Sequence, residues 1–221
     1  MMDFSAIAAT LLLFSAAAVS PPPADLPDAL VEAQRSADRA EHCLPADDPA
    51  PHAYLAEKNG RLSRLTRQVE GLWGLRPSDI DSARVRRAAT DCDAARQAER
   101  RIARLAAIVD RQTATMTDGA WIGTLPLCRF GRVEARPGFD DQMGLPIVNL
   151  RFDAPLARAF GELTAGRIGR LLAIRVDGRV VTEPVVNERI DGGEIQISGI
   201  GTVQESATIA AAIRCSGASA A

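Results

Sequence analysis

Aromatic residues are scarce: two tryptophans, one tyrosine and six phenylalanines make up 4% of 221 residues. Any helical core must therefore be packed from Leu, Val, Ile and Ala. Neither sign of charge is in excess, with 26 basic and 28 acidic side chains, so nothing points to a nucleic-acid backbone as partner. Histidine is nearly absent. His42 and His52 flank a proline-rich stretch and read as exposed loop residues. The chain beyond residue 117 has no histidine, which leaves its Ser, Thr and Cys side chains without a plausible general base. No pair of cysteines has C-x-x-C spacing, so neither thiol–disulfide catalysis nor a zinc knuckle is supported. These absences exclude the common routes to catalysis. A non-enzymatic protein without cofactor or metal is the expectation.

Long apolar runs are also missing, save one. Residues Ala6 to Val19 form an apolar stretch followed by Pro21-Pro22-Pro23. It is short for a transmembrane helix and suits the core of a signal peptide spanning 1–20, with Ala16-Ala17-Ala18 as a cleavage site. Asp3 and the lack of Lys or Arg before the run keep an uncleaved N-terminal anchor as the alternative. After cleavage no stable membrane span is expected. In an exported chain the even number of cysteines, Cys43, Cys92, Cys128 and Cys215, reads as disulfides, for which three pairings exist.

Residues 24–117 have helical periodicity. Leu26, Leu30, Ala33, Ala37, Ala40 and Leu44 form one stripe, and Leu55, Leu62, Leu65, Val69 and Leu72 a second. Gly74 and Pro77 break the chain before a third, carried by Ala88, Cys92, Ala95, Ile102, Leu105, Val109 and Met116. Three such helices predict an up-down-up bundle or a coiled-coil hairpin. In the bundle the first and third helices run parallel, with Cys43 roughly 27 Å and Cys92 roughly 21 Å from their starts, which favours a Cys43–Cys92 bridge.

From Thr117 to Leu127 the pattern dissolves into Asp118-Gly119 and Pro126, which reads as an interdomain boundary. Strands are expected at 132–136 and 147–152, joined through a turn that includes Pro137-Gly138 and Gly144. Asp153 caps a helix that opens on Pro155 and turns Leu156, Ala159, Phe160 and Leu163 inward. Asp177-Gly178 joins strands 171–176 and 179–182, and Glu194 to Ser198 is a further strand. Thr202 and Glu205 make a capping box for a last helix facing inward with Val203, Ser206 or Ala207, Ala210 and Ile213. The expected fold is α+β: the helical bundle or hairpin of 24–117, then a domain at 120–217 with a small antiparallel sheet and two helices on one face. A Cys128–Cys215 bridge would staple the two ends of that domain.

Glu183, Glu188, Asp191 and Glu194 alternate with Arg179 and Arg189 and read as a solvated surface. The stretch Glu183, Pro184, Val185, Val186, together with Ile200, suits a sheet edge that an extended peptide could join by backbone pairing, although Val185, Val186 and Ile190 have the chemistry of core residues as well.

An ordered set of motifs runs through this region. A strand ends in Phe152-Asp153, and the helix after it carries Phe160 and Thr164. Leu-Ala-Ile-x-Val-Asp-Gly-Arg-Val-Val spans Leu172 to Val181, followed by Pro184, Gly192-Gly193, Ile197-Ser198-Gly199 and Thr202-x-x-Glu205-x-Ala207. Residues 128–217 thereby resemble the head subdomain of the first periplasmic domain of SecD, a subunit of the bacterial protein-export machinery. Where that family often has Asn-Phe after Ile-Ser-Gly, this chain has Ile200-Gly201. The resemblance implies a periplasmic protein that contacts unfolded or translocating polypeptide and assists export or late folding. It leaves the helical half unexplained and brings no motor. The alternative is an envelope structural or inhibitor protein that binds one fixed protein partner through its helical half.

Overall fold

The computed structural model describes residues 21–42, 49–80 and 93–213. Cys43, Cys92, Cys215 and the stretch 1–20 lie outside them. Three long helices come first: α1 (Leu26–His42), α2 (Pro49–Trp73) and α3 (Asp93–Thr113). The stripe of α1 is buried at Leu26, Leu30, Ala33, Ala37 and Ala40, and that of α3 at Ala98, Ile102, Leu105, Ile108 and Val109. A tight turn at Pro77–Asp79 follows α2.

The direction of α3 differs from the sequence expectation. Arg104 reaches Asp25 (3.8 Å) and Glu32 (3.5 Å) while Arg101 donates to Ser36 Oγ (2.6 Å). Later residues of α1 thus meet earlier residues of α3, so the two helices are antiparallel. Lys58 and Arg61 of α2 meet Glu99, and Gln68 lines the same groove as Asp110, so α2 and α3 run parallel. The physical reason is the length of the connection. Nineteen residues separate Trp73 from Asp93, so no short turn fixes the direction of α3, and hydrophobic periodicity carries no information on direction. His42 and Asp93 consequently share one end of the bundle.

The remaining elements are strands β1 (Ala120–Ile122) and β2 (Leu125–Pro126), short helix α4 (Leu127–Phe130), β3 (Val133–Phe139), β4 (Pro146–Phe152), helix α5 (Ala154–Ala165), β5 (Ile174–Val176), β6 (Arg179–Thr182), β7 (Glu194–Ile197) and helix α6 (Val203–Ile213). The fold is α+β as expected, but with two antiparallel sheets, β2-β1-β5-β6 and β3-β4-β7, in place of one. The stretch 117–127, read as a boundary, instead forms a hairpin through Gly123 (φ 57°) and joins β5. β3 runs on through Pro137-Gly138, which a proline permits only on an edge strand such as this.

Local chemistry places most of these elements. Asp153 Oδ1 accepts from Leu156 N–H (3.2 Å) and its other oxygen from Arg132 N–H (2.9 Å). Asp177 (φ 47°) and Gly178 (φ 76°) both lie in the left-handed region, the requirement of the tight turn that matches strand twist. Thr202 Oγ1 accepts from Glu205 N–H (3.1 Å), while Glu205 accepts from Gly201 N–H (3.1 Å). Ser206, Ala210 and Ile213 are buried as expected, joined by Ile209, whereas Val203, expected inward, is exposed.

One core serves both sheets. Ile122, Ile174 and Val176 of the first meet Val148, Leu150 and Phe152 of the second, along with Leu156, Phe160 and Leu163 of α5 and Ile209 and Ile213 of α6. Phe152 and Phe160 pack edge to face, centroids 5.3 Å apart. The other face of the first sheet turns to the bundle: Trp121 packs with Leu72, Trp73 and Met116, and Arg175 pairs with Trp121 across the sheet.

Candidate functional site

Strand β6 is the outer strand of its sheet, paired on one side only. Its Val180 is 44% exposed, and close behind it in sequence Val185 is 49% exposed. Ile168, 55% exposed, is bridged to Val186, the residue after Val185. Backbone hydrogen bonds tie this stretch to the chain beneath it. Leu172 N–H donates to Pro184 O (2.9 Å), Val186 N–H to Arg170 O (2.9 Å), and Gly169 N–H to Val186 O (2.7 Å). The ledge is thus tied down by backbone hydrogen bonds, presents β-branched side chains, and ends on a strand paired on one side only, the arrangement that accepts an added strand.

The residues singled out from sequence divide between surface and core. Glu183 is half-buried, and Pro184 and Val185 are exposed on the ledge. Val186 (5% exposed) and Ile200 (7%) lie inside the shared core and are not part of the exposed surface. Glu183 also lends its negative charge to Arg175, whose guanidinium is buried. Sequence reasoning misses Ile168; its signal is an isoleucine in a glycine-flanked turn, Gly166-Arg167-Ile168-Gly169, where a core side chain has no helix or strand to belong to. The hairpin tip between β3 and β4 exposes a second apolar group, Phe139, Met143 and Leu145. Among the described residues no three His, Cys, Asp or Glu side chains are grouped to hold a metal ion. Nor is any described helix long and apolar enough to cross a membrane.

A polar junction fixes the ledge to the bundle. Arg167 is buried and donates to the carbonyls of Glu70 (3.2 Å) and Leu72 (2.7 Å), satisfying the last turn of α2. Burial pushes its pKa down to about 10, which leaves it charged at neutral pH. The Glu70 carboxylate accepts from Arg76 (2.9 Å) and from Leu171 N–H (3.0 Å). Arg170 donates to Asp79 (2.8 Å), and Arg76 to Gly169 O (2.9 Å).

This junction carries a pH dependence. Burial opposes the charge on Glu70, yet the Arg76 and Leu171 hydrogen bonds and the charges of Arg76 and Arg170 hold its pKa below the usual value. Asp79 is likewise lowered against burial, by Arg170 and by Arg76 N–H. A carboxylate with a lowered folded-state pKa contributes stability that is complete above its unfolded pKa and lost as pH falls through the folded value. Thermal unfolding should therefore show stability falling below the ordinary carboxylate range. Glu70→Gln should flatten that acid limb; an unchanged acid limb in both Glu70→Gln and Asp79→Asn would show that these groups do not drive it.

The sequence profile of the family described as SecDF, P1 head subdomain, matches residues 132–220. Protein translocase subunit SecD of Desulfurispirillum indicum is 39% identical over 82 residues, 37% of this chain and 16% of that protein. Protein translocase subunit SecDF of Thermus thermophilus is 44% identical over 81 residues, 37% of this chain and 11% of that protein. A solved structure of the membrane component SecDF that enhances protein export is 42% identical and covers 38% of each chain, with a TM-score of 0.36. The matched segment spans about a sixth or less of the curated relatives' length. Sequence likeness to the P1 head subdomain of SecDF thus extends over residues 132–220, the region in which the motifs from Phe152 to Ala207 lie.

Proposed function

We propose that this chain is a non-enzymatic protein of the periplasm in which the part similar to the SecDF head holds extended segments of polypeptide, as an auxiliary to export or to the late folding of secreted chains. The observation that carries this reading is the ledge of Val180, Pro184, Val185 and Ile168 beside the open edge of β6, within a sequence similar to a translocase subunit. Backbone pairing to a strand edge makes small demands on side-chain sequence, which suits contact with many different chains. The buried Val186 and Ile200 belong to the core and not to the ledge surface, and Glu183 sets the charge at its rim.

The test is site-specific photocrosslinking in cells from Val180 and Val185, with Arg67 on α2 as a helical control. A range of secreted proteins captured at the two ledge positions and not at Arg67 is the expected result. A single protein captured at Arg67, with nothing at the ledge, would overturn the reading in favour of a fixed envelope partner held by the helices.

A further inference from the structure

Helix α3 has an outward face that nothing among the described residues covers. Arg100, Ala103, Ala107 and Asp110 are all exposed, and their spacing of three, four and three puts them on one side of the helix. The same helix turns Ile102, Leu105 and Val109 into the bundle. Beside this face runs a groove of about 460 Å³ between α2 and α3, with Leu65, Ile102 and Ala106 in its lining. Arg100 and Asp110 have no ion-pair or side-chain hydrogen-bond partner among the described residues. That distinguishes them from Arg101, which meets Ser36, and Arg104, which meets Asp25 and Glu32.

The order of these four residues is self-complementary. Laid antiparallel on a copy of itself about a two-fold axis midway between Ala103 and Ala107, the row Arg-Ala-Ala-Asp sets Arg100 against the copy's Asp110, and Ala103 against the copy's Ala107. A two-fold interface uses one patch twice, so both charges find partners at once. Alanines at the crossing let the helix axes approach to the short end of the usual packing distance, about 8 Å. We propose that the chain forms a symmetric dimer through α3, with each α3 also lying along the α2–α3 groove of the other copy. An anionic or cationic partner surface does not fit, because the face carries one charge of each sign at its two ends.

The test is sedimentation equilibrium of the full chain with three variants: Arg100→Glu, Asp110→Arg, and the two combined. All change exposed positions, and circular dichroism checks that the helices persist. The wild type should dimerise, more weakly as salt rises. Each single reversal should raise the dissociation constant on the order of tenfold, by setting like charges opposite one another twice per dimer. The double reversal should restore dimerisation, since it exchanges the charges without changing their complementarity. A wild-type protein that stays monomeric up to its solubility limit would overturn the proposal. So would a dimer indifferent to both single reversals, or one that the double reversal fails to restore.

Discussion

Replacing Cys128 with alanine is expected to lower the stability of the C-terminal fold by about 4.6 kcal/mol, the loss that the chain-entropy account assigns to a loop closed between Cys128 and Cys215. Cys128 is the only cysteine among the described residues, and it is disulfide-bonded. Its sulfur lies 3.8 Å from the carbonyl oxygen of Ile213, the last residue of α6 and two positions before Cys215. We propose that the bond is Cys128–Cys215, which ties the start of the shared core to the end of α6. Cys43 and Cys92 then pair with each other at the shared end of α1 and α3. Peptide mapping of the unreduced protein should find these two bridges. Denaturant unfolding should show Cys128→Ala and Cys215→Ala equally destabilised, and the double variant no worse than either. Additive losses from the two single variants, or a mapped bridge from Cys128 to Cys43 or Cys92, would disprove the pairing.

Features settled by neighbouring residues are legible in the sequence alone. Asp153 caps α5, Asp177-Gly178 turns β5 into β6, and Thr202 with Glu205 starts α6, because each acts over three or four residues. The stripe of α1 is legible for a similar reason: one amphipathic face repeated over four turns has a single way to be buried. The stretch from Thr117 to Leu127 is not. Its strands are three and two residues long, too short for alternation to register, and Gly119 and Gly123 mark turns within a hairpin as readily as a linker. The pairing of β1 with β5 links residues more than fifty apart, so the division into two sheets has no local signature. The candidate site is half legible. A run such as Pro184-Val185-Val186 tells that some valine is exposed at an edge, but which one follows from the bridge to Ile168, a contact made across the fold. The direction of α3 is beyond reach, since an amphipathic stripe reads the same along either axis.

Least visible of all in the sequence is the role of Arg167, and its replacement supplies the other large effect. Arg167→Leu is expected to cost about 3 kcal/mol, because it takes from Leu72 O its guanidinium donor and leaves Glu70 O with Gly74 N–H alone, in a buried site. Some of the penalty for burying a guanidinium is recovered, which keeps the loss below that of breaking a buried ion pair. Gly74 offers an independent route to the same joint. It ends α2 in the left-handed region at φ 69°, its N–H donates to Glu70 O (2.7 Å), and a Cβ there would run into the Arg167 side chain. Gly74→Ala should therefore cost at least the roughly 1 kcal/mol of a non-glycine residue in that conformation, and more because Arg167 must move. The two losses share one cause. A variant carrying both changes should be destabilised by less than their sum, since Gly74→Ala displaces a side chain that Arg167→Leu has already removed. Trp73 and Trp121, both buried beside the joint, give a fluorescence signal for its opening, to be followed against the helical circular dichroism during urea unfolding. In the wild type the two signals should coincide. In Arg167→Leu the tryptophan transition should come first, with the helices melting later. Coincident transitions in the variant, at a midpoint unchanged from wild type, would mean that α2 is held to the β5 sheet by its apolar contacts alone and that Arg167 adds nothing to the joint.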